Sequence, residues 1–143
     1  MTGSKPIKIT RVNWASDQAQ LQAIRTPVFV QEQNVPVELE WDEQDHQAYH
    51  WLAFTDQQAI GCCRMLGDGH IGRMAVLSDY RGTGVGKALL AAAIEQAKNE
   101  QLFEVYLYAQ SHAIGFYQQA GFSVYGEEFL DAGIPHRRMR LQL

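Results

Sequence analysis

The stretch YRGTGVGKALL, residues 80–90, places three glycines between Arg81 and Lys87, directly before an apolar run with helical spacing. In a glycine-rich turn that leads into a helix, successive backbone N–H groups form a concave site for phosphate oxygens. Glycine lets a ligand approach the main chain closely and adopts the positive φ angles that such turns need. The stretch therefore predicts a site for a phosphate-bearing ligand. A turn that only caps the helix is the alternative.

Two common nucleotide-binding motifs do not fit this loop. The Gly-x-x-x-x-Gly-Lys-Ser/Thr loop would need glycine in place of Arg81 and a hydroxyl residue in place of Ala88. The dinucleotide pattern Gly-x-Gly-x-x-Gly would need glycine in place of Lys87. What the loop does match is Arg-x-x-Gly-x-Gly, formed by Arg81, Gly84 and Gly86.

An acidic segment, ELEWDEQDH, is a second group of residues that could do chemistry. Its carboxylates, together with the two histidines within and after it, are Glu38, Glu40, Asp42, Glu43, Asp45, His46 and His50. Such a cluster could attract a cationic amine and take its proton. A solvated acidic loop is the alternative. A metal site built on the two histidines and Asp42 lacks a further ligand.

Composition narrows the class of protein. A chain of 143 residues with 46% apolar and 20% charged residues is typical of one globular domain with a single core. The formal charge of −4 argues against a general nucleic-acid surface. The sequence contains no apolar run of about 18 residues, so it predicts no membrane span. The start MTGSKPIKI lacks a signal-peptide pattern, and we therefore expect a cytoplasmic protein. Cys62 and Cys63 are adjacent, a poor geometry for a mutual disulfide.

The hydrophobic pattern predicts strands and helices that alternate along the chain. The predicted strands are short apolar or alternating runs: residues 7–12, HWLAF, AIGCCRML, HIGRMAV, FEVYLYA, FSVYG and RRMRLQL. The predicted helices lie at residues 17–28, 84–100 and 112–120, and Gly121 ends the last one. Because several strands form hairpins, we predict an α/β (α+β) fold with a mixed, mostly antiparallel sheet flanked by helices.

Two details of the first helix follow from its residues. Ser16 or Asp17 can cap its start, since both side chains accept hydrogen bonds from N–H groups of a first turn. Pro27 lacks an N–H group and restricts the residue before it, so we expect the helix to be kinked or split after Thr26.

Two motifs in a fixed order resemble the GNAT superfamily of N-acyltransferases. The run IGRMAVLSDYRGTGVGKALL resembles the acyl-CoA-binding core of that family. The run AQSHAIGFYQQAGF resembles its second motif, which is matched at Ala113, Phe116, Tyr117, Gly121 and Phe122. Gln110 stands where the family most often has asparagine. The segments RTPVFVQEQNVP and EFLDAGIPH resemble the ElaA-like bacterial branch, so residues 1–143 are expected to form a single domain of this family.

The resemblance implies a fold and a cofactor site. The fold would have a bulged strand and a sheet splayed where acyl-CoA binds. The backbone of Met74, Ala75 and Val76 would pair with the pantetheine arm, although by side-chain type alone these residues are simply a buried strand. The pyrophosphate and the remaining contacts would fall to Arg81, Gly82, Thr83, Gly84, Val85, Gly86, Lys87, Gln110, Ala113 and Phe116. The implied co-substrate is acetyl-CoA, with no metal.

Tyr117 is the residue to which the resemblance assigns the chemistry. Acetyl transfer to an amine expels the thiolate of CoA, whose thiol resembles that of cysteine, with a pKa of about 8.5. A phenol with a pKa of about 10 is neutral at pH 7 and can donate a proton to that sulfur. In the family the tyrosine at this position does so. A tyrosine that only packs between helix and sheet is the alternative.

The expected function is therefore transfer of an acetyl group from acetyl-CoA directly to a primary amine of a small molecule or peptide. Tyr117, Glu38 and Glu40 are the predicted catalytic residues. A non-catalytic acyl-CoA-binding module of the same fold is the alternative, and a homodimer is left open. His136 either lines the acceptor pocket or is a capped loop residue, while His70 and His112 are expected to be structural, as are Tyr106 and Tyr108 in their strand.

Overall fold

The computed structural model describes residues 6–33 and 43–143. Its strands are β1 (Lys8–Val12), β2 (Tyr49–Thr55), β3 (Gln58–Met65), β4 (Ile71–Val76), β5 (Glu104–Gln110), β6 (Ser123–Asp131) and β7 (Ile134–Gln142). Its α-helices are α1 (Trp14–Arg25), α2 (Val85–Asn99) and α3 (Ile114–Gln119). A π-helical segment (Thr26–Glu32) follows α1, and short 3-10 turns occupy Glu43–His46, Ser78–Tyr80 and Ser111–Ala113. None of these helices is long and apolar enough to cross a membrane.

The strands form two antiparallel groups, β1-β2-β3-β4 and β5-β7-β6. A single parallel bridge between His70 and Tyr106 connects the groups within the described residues. The predicted class, a mostly antiparallel sheet that is splayed and flanked by helices, is confirmed. The predicted β2–β3 turn is also present, with positive φ angles at Asp56 and Gln57.

Two helices pack on opposite faces of the first group of strands. Leu21 and Ile24 of α1 pack in one buried cluster with Leu52 and Cys62. A second cluster joins α2 to the other face and continues under β5 and β7. The side chains of adjacent strand residues point to opposite faces, so Cys62 lies in the first cluster and Cys63 in the second. Helix α2 therefore holds both groups of strands from one side.

The first helix differs from the prediction at its start. Asn13 is the N-cap: its Oδ1 accepts the N–H of Ala15 at 2.8 Å, and Asp17 Oδ2 accepts the N–H of Asn13 at 3.0 Å. The prediction that Ser16 or Asp17 caps the helix is wrong. At the other end, α1 ends at Arg25 with Thr26 as its C-cap, close to the predicted split, and the chain continues past Pro27 as the π-helical segment.

A buried ion network joins α1 to the first group of strands. Asp45 is fully buried and pairs with Arg25 (Nη1 to Oδ1, 2.8 Å) and Arg64 (Nη1 to Oδ1, 3.0 Å). His50 Nε2 donates to the main-chain oxygen of Asp45 at 2.8 Å. The ring of Trp14 stacks on His50, and the Arg25 guanidinium lies 5.4 Å from the centroid of the Trp14 ring. We call these five residues the Asp45 network.

Charge in the Asp45 network is set by opposing effects. Burial raises the pKa of Asp45, but the two arginines outweigh it, so the pKa is lowered and the carboxylate stays ionised. Burial lowers the pKa of His50, which keeps its imidazole neutral. The network is thus two guanidinium groups around one carboxylate, packed on aromatic rings.

Replacing Asp45 by asparagine should destabilise the fold strongly. Asp45→Asn leaves Arg25 and Arg64 buried without the carboxylate charge, and removing one partner of a buried ion pair costs about 3–5 kcal/mol. Urea unfolding at pH 7 measures the loss, and Glu95→Gln on the exposed side of α2 is the control.

The acid dependence of this effect has a definite sign. Because the folded pKa of Asp45 is lowered, its stabilisation is present above the ordinary value of about 3.9 and is lost as pH falls through the folded value. Asp45→Asn should lack this component of acid unfolding. Equal free energies of unfolding for the two proteins at pH 7 would contradict the assignment.

Candidate active site

The two groups of strands separate between β4 and β5. They meet at the bridge between His70 and Tyr106, where the Tyr106 N–H also donates to the Gly69 oxygen at 3.1 Å. Beyond that point the strands diverge and border a cleft of about 720 Å³. A bulge accompanies the divergence: the register of β4 on β3 shifts at Arg73, whose φ is 46°. The cleft is the main candidate site in the described part of the chain.

The main chain of β4 faces this cleft at alternate residues. Leu77 donates its N–H to the Ile60 oxygen of β3 at 2.9 Å. In an antiparallel ladder the main-chain N–H and C=O groups of successive residues point to opposite sides of the strand. Those of Ala75 therefore point toward β3, and those of Met74 and Val76 point toward the cleft. Of the three residues predicted to pair with a pantetheine arm, Met74 and Val76 direct their main-chain groups to the open side.

The glycine-rich loop ends β4 and begins α2, as its sequence predicted. Gly82 and Gly84 have φ angles of 77° and 91°, and Gly84 is the N-cap of α2. The first intrahelical bond is from the Ala88 N–H to the Gly84 oxygen, so the N–H groups at positions 85–87 have no partner within the helix. The Thr83 hydroxyl donates to the Tyr80 oxygen at 2.5 Å and fixes the turn.

A second cavity, of about 370 Å³, lies over this loop. It shares Arg81, Ala113, Tyr117 and positions 74–76 with the cleft, so the two spaces adjoin. Of the thirteen residues predicted to bind the cofactor, all except Thr83 line one space or the other. At Gly86 a Cβ atom would lie 3.3 Å from Phe116 Cζ, so the missing side chain lets α3 pack on α2.

Arg81 connects the loop to two other elements. Its Nε donates to the Val76 oxygen and its Nη2 to Glu32 Oε1, both at 2.9 Å. Sequence reasoning did not identify Glu32, because the residue comes from the π-helical segment and meets Arg81 only in the folded chain. The side chain predicted to meet a phosphate is therefore held in place by a carboxylate and a carbonyl.

Gln110, at the position where the family pattern usually has asparagine, extends across the cleft. Its Nε2 donates to Gln33 Oε1 at 2.8 Å, linking the end of β5 to the end of the π-helical segment. This second contact was also outside the reach of local sequence patterns. The π-helical segment thus forms one wall of the site.

Tyr117 lies where the two spaces adjoin. Its ring contacts Phe116 and Phe122 edge-on, with centroids at 5.0 and 6.0 Å, and the Phe122 N–H donates to its main-chain oxygen. Burial, with a smaller effect of Cys63, raises the pKa of its hydroxyl, so the phenol is neutral at pH 7. No residue within 6–33 or 43–143 forms a hydrogen bond with that hydroxyl. A bound group can therefore take its proton.

The acidic segment gives a divided result. Glu38, Glu40 and Asp42 lie outside the described residues, so their predicted roles stay predictions. Asp45 and His50 belong to the Asp45 network, and the expectation that they join an amine-attracting cluster is wrong. Their burial with two arginines fixes them as structural groups.

Two of the remaining histidines face the cleft from different places. His70 stacks on Tyr106 and is tilted against Tyr108, with ring centroids 4.6 Å apart in both pairs, at the end where β4 and β5 still meet. Burial lowers the pKa of His70. His136 lines the cleft from strand β7, not from a loop as one alternative held. His136 lies in a strand because the chain turns at Ala132, whose φ is 52°. Alanine rarely adopts a positive φ, so the sequence did not indicate this turn.

Comparison with known proteins places this site in a family. Residues 15–143 match the sequence model of the acetyltransferase (GNAT) domain. The uncharacterized N-acetyltransferase YjcF of Bacillus subtilis is 38% identical over 120 residues, which cover 81% of this chain and 86% of YjcF.

Two solved structures agree in fold and sequence. An acyl-CoA N-acyltransferase from Pseudomonas aeruginosa is 33% identical, with a TM-score of 0.84 over 94% of this chain and 99% of that one. ElaA from Escherichia coli is 29% identical, with a TM-score of 0.84 and the same coverage of both chains. The predicted resemblance, including its ElaA-like branch, is confirmed. The chain belongs to the GNAT family of acetyltransferases.

Proposed function

We propose that this protein is an N-acetyltransferase that moves an acetyl group from acetyl-CoA directly to a primary amine of a small molecule or peptide. The observation that carries the proposal is the position of Tyr117, a neutral phenol between the space over the glycine-rich loop and the cleft. Membership of the GNAT family supports the acyl donor, and the P. aeruginosa relative is named for acyl-CoA.

The donor fits the two adjoining spaces in a definite direction. Its pyrophosphate would lie on the N–H groups of the loop, positions 82–87, with Arg81 adding a charge-assisted hydrogen bond. Its pantetheine arm would run along β4 at Met74 and Val76, as an added strand does at an open edge. Local N–H groups and the helix dipole bind the anion, which explains how a chain of charge −4 holds a polyanion.

The reaction needs an acid at the sulfur and a neutral amine at the thioester carbon. Attack of the amine forms the N–C bond, and collapse of the adduct breaks the C–S bond. The departing sulfur takes the phenolic proton of Tyr117, which burial keeps on the oxygen until then. The acidic segment with Glu38 and Glu40 would draw a cationic acceptor toward the site.

A non-catalytic acyl-CoA-binding module is the competing function. Such a module has no use for an acid at the sulfur, so the available Tyr117 hydroxyl favours an enzyme. A screen of polyamines, amino acids, aminoglycosides and peptides with acetyl-CoA, followed by detection of free thiol, decides between the two. We expect thiol release with at least one amine. Acetyl-CoA binding by calorimetry without thiol release for any amine would support the module.

Gly84→Val should weaken acetyl-CoA binding and leave the fold intact. A β-branched residue is strained at a φ of 91°, while open space around the position spares the core. Losing one hydrogen bond to the charged phosphate lowers affinity by about tenfold or more. Calorimetry measures the dissociation constant. Gly67→Val, at a turn glycine with equally open space and without a positive φ, is the control.

The acidic segment can be tested one carboxylate at a time. Glu38→Gln, Glu40→Gln and Asp42→Asn should each lower kcat/KM for a cationic acceptor several-fold, because each removes attraction for its charge. The dissociation constant of acetyl-CoA should stay unchanged, and the effect should shrink as salt rises. If all three variants match both the wild type and the surface control Glu95→Gln, the segment has no part in the reaction.

Tyr117→Phe should reduce kcat and kcat/KM together by about 10²–10⁴-fold, since the lost interaction forms chiefly in the transition state. Because burial raises the pKa of Tyr117 above its ordinary value of about 10, the loss should be constant with pH up to about 10. Acetyl-CoA affinity should not change. Tyr108→Phe, which also lines the cleft, is the matched control.

A purely structural tyrosine would behave differently. Tyr117→Phe would then lower the melting temperature and leave the rate at low temperature within about threefold of the wild type, below the range of acid catalysis. That result would remove Tyr117 from the mechanism.

A further inference from the structure

We propose that His136 is the general base of this enzyme, accepting at Nε2 the proton that the acceptor must lose. The inference rests on the proposed function and supplies the residue that the reaction requires. It is carried by the hydrogen bond at the other nitrogen of the ring and by the place of His136 in the cleft.

One hydrogen bond fixes the tautomer of His136. Its Nδ1 lies 2.7 Å from the main-chain oxygen of Ile134. A carbonyl oxygen only accepts, so Nδ1 must carry the hydrogen, and in the neutral ring Nε2 then carries a lone pair. The hydrogen bond therefore presents Nε2 as a proton acceptor.

Packing fixes the direction of the ring. His136 is only 8% exposed, and its ring stacks on Phe129 with centroids 5.8 Å apart. What remains accessible lines the cleft between β4 and β5. No protein group in the described ranges forms a hydrogen bond with Nε2, so a bound acceptor or a water molecule can do so.

The position along the sheet matches the reacting end of the site. His136 is paired with Gln110, the last residue of β5, from which the chain runs through Ser111–Ala113 into the helix of Tyr117. His70 instead lies beside Tyr106, four residues earlier in β5, or about 13 Å at 3.3 Å per residue. Of these two histidines, His136 is the one near the proposed thioester end.

Other candidate bases in the described ranges are engaged or misplaced. Glu32 lines the cleft but pairs with Arg81 at 2.9 Å. Asp45 is enclosed in the Asp45 network. His112 is exposed, and no partner orients its ring within those ranges. Asp131 ends β6 at the hairpin turn and is exposed.

Charged and titratable groups surround His136 on each packed element. They are Tyr108 on β5, Glu128 and Asp131 on β6, and Arg137 and Arg138 on β7. Arg138 lies over the Phe129 ring at 4.8 Å on the same face of the strand, and Arg64 and Arg73 line the far wall of the cleft. Groups of both signs therefore surround the ring.

The proton path balances as follows. The ammonium of the acceptor gives one proton to Nε2, and its freed lone pair forms the N–C bond with the thioester carbon. The C–S bond breaks, and the sulfur takes the phenolic proton of Tyr117. The nitrogen of the adduct returns a proton to the phenolate and becomes a neutral amide. His136 releases its proton to solvent, so the products are amide, CoA thiol and one proton.

The test compares two variants, each of which keeps a polar group near one of the two imidazole nitrogens. His136→Asn keeps a donor near Nδ1 for the Ile134 oxygen, and His136→Gln places an amide near Nε2; neither supplies a base. Thiol release is followed from pH 5.5 to 9 with the amine found in the screen and with water as the acceptor. Below neutrality kcat/KM should fall by about 10²-fold or more in both variants, and acetyl-CoA affinity should not change.

The pH profile adds a readout that a structural role would not affect. The wild-type acid limb reflects protonation of the imidazole, whereas in the variants the amine must deprotonate unaided. The variant rate should therefore rise toward alkaline pH and approach the wild-type rate. His112→Asn, exposed in the same cleft, should keep the wild-type profile.

Independent of any variant, ¹⁵N NMR of the wild type should show His136 with hydrogen on Nδ1. Hydrogen on Nε2 in the neutral ring, or a His136→Asn enzyme within about threefold of wild type with the same acid limb, would overturn the inference. Failure of the proposed function looks different: the wild type then releases no thiol with any amine or with water, and the inference falls with it.

Discussion

The separation of β4 from β5 is the constraint on which the rest of the structure depends. Two neighbouring strands that stop pairing after one bridge leave polar main-chain groups without a ladder partner, which a protein interior tolerates only if something else binds them. Val76 meets this demand in part, since Arg81 binds its carbonyl oxygen. Helix α2 makes the opening possible, because one buried cluster along this helix holds both groups of strands together from below.

The electrostatics of the site depend on the local arrangement of charged and polar groups and not on the net charge of the chain. The acidic chain presents N–H groups at the start of α2, where an anion would bind. Among the described residues, the one buried carboxylate, that of Asp45, lies between two arginines. Glu32 and Gln33 then connect the π-helical segment to Arg81 and Gln110. The wall of the cleft is thus built by polar contacts between segments distant in the chain, on a base of apolar packing by Val28.

Local features were predictable from the sequence, and features made by distant contacts were not. Helix α2 and its glycine turn appeared as predicted, since the spacing of Val85, Leu89 and Ala93 and the need for a positive φ are properties of short stretches. The cap at Asn13 was missed because several nearby residues could cap equally well. The role of Asp45 was missed: its segment was interpreted as an amine-attracting cluster or a solvated loop, because no local pattern shows that two arginines will enclose it.

The placement of the two cysteines has a practical consequence for experiments in solution. Cys62 and Cys63 are buried thiols, not joined in a disulfide, on opposite faces of β3, one under α1 and the other under α2. Burial raises the pKa of the Cys63 thiol, so the folded protein should give little background in assays that detect free thiol. The same pair is a built-in reporter of local unfolding: labelling at one sulfur and not the other tells which helix has lifted from the sheet.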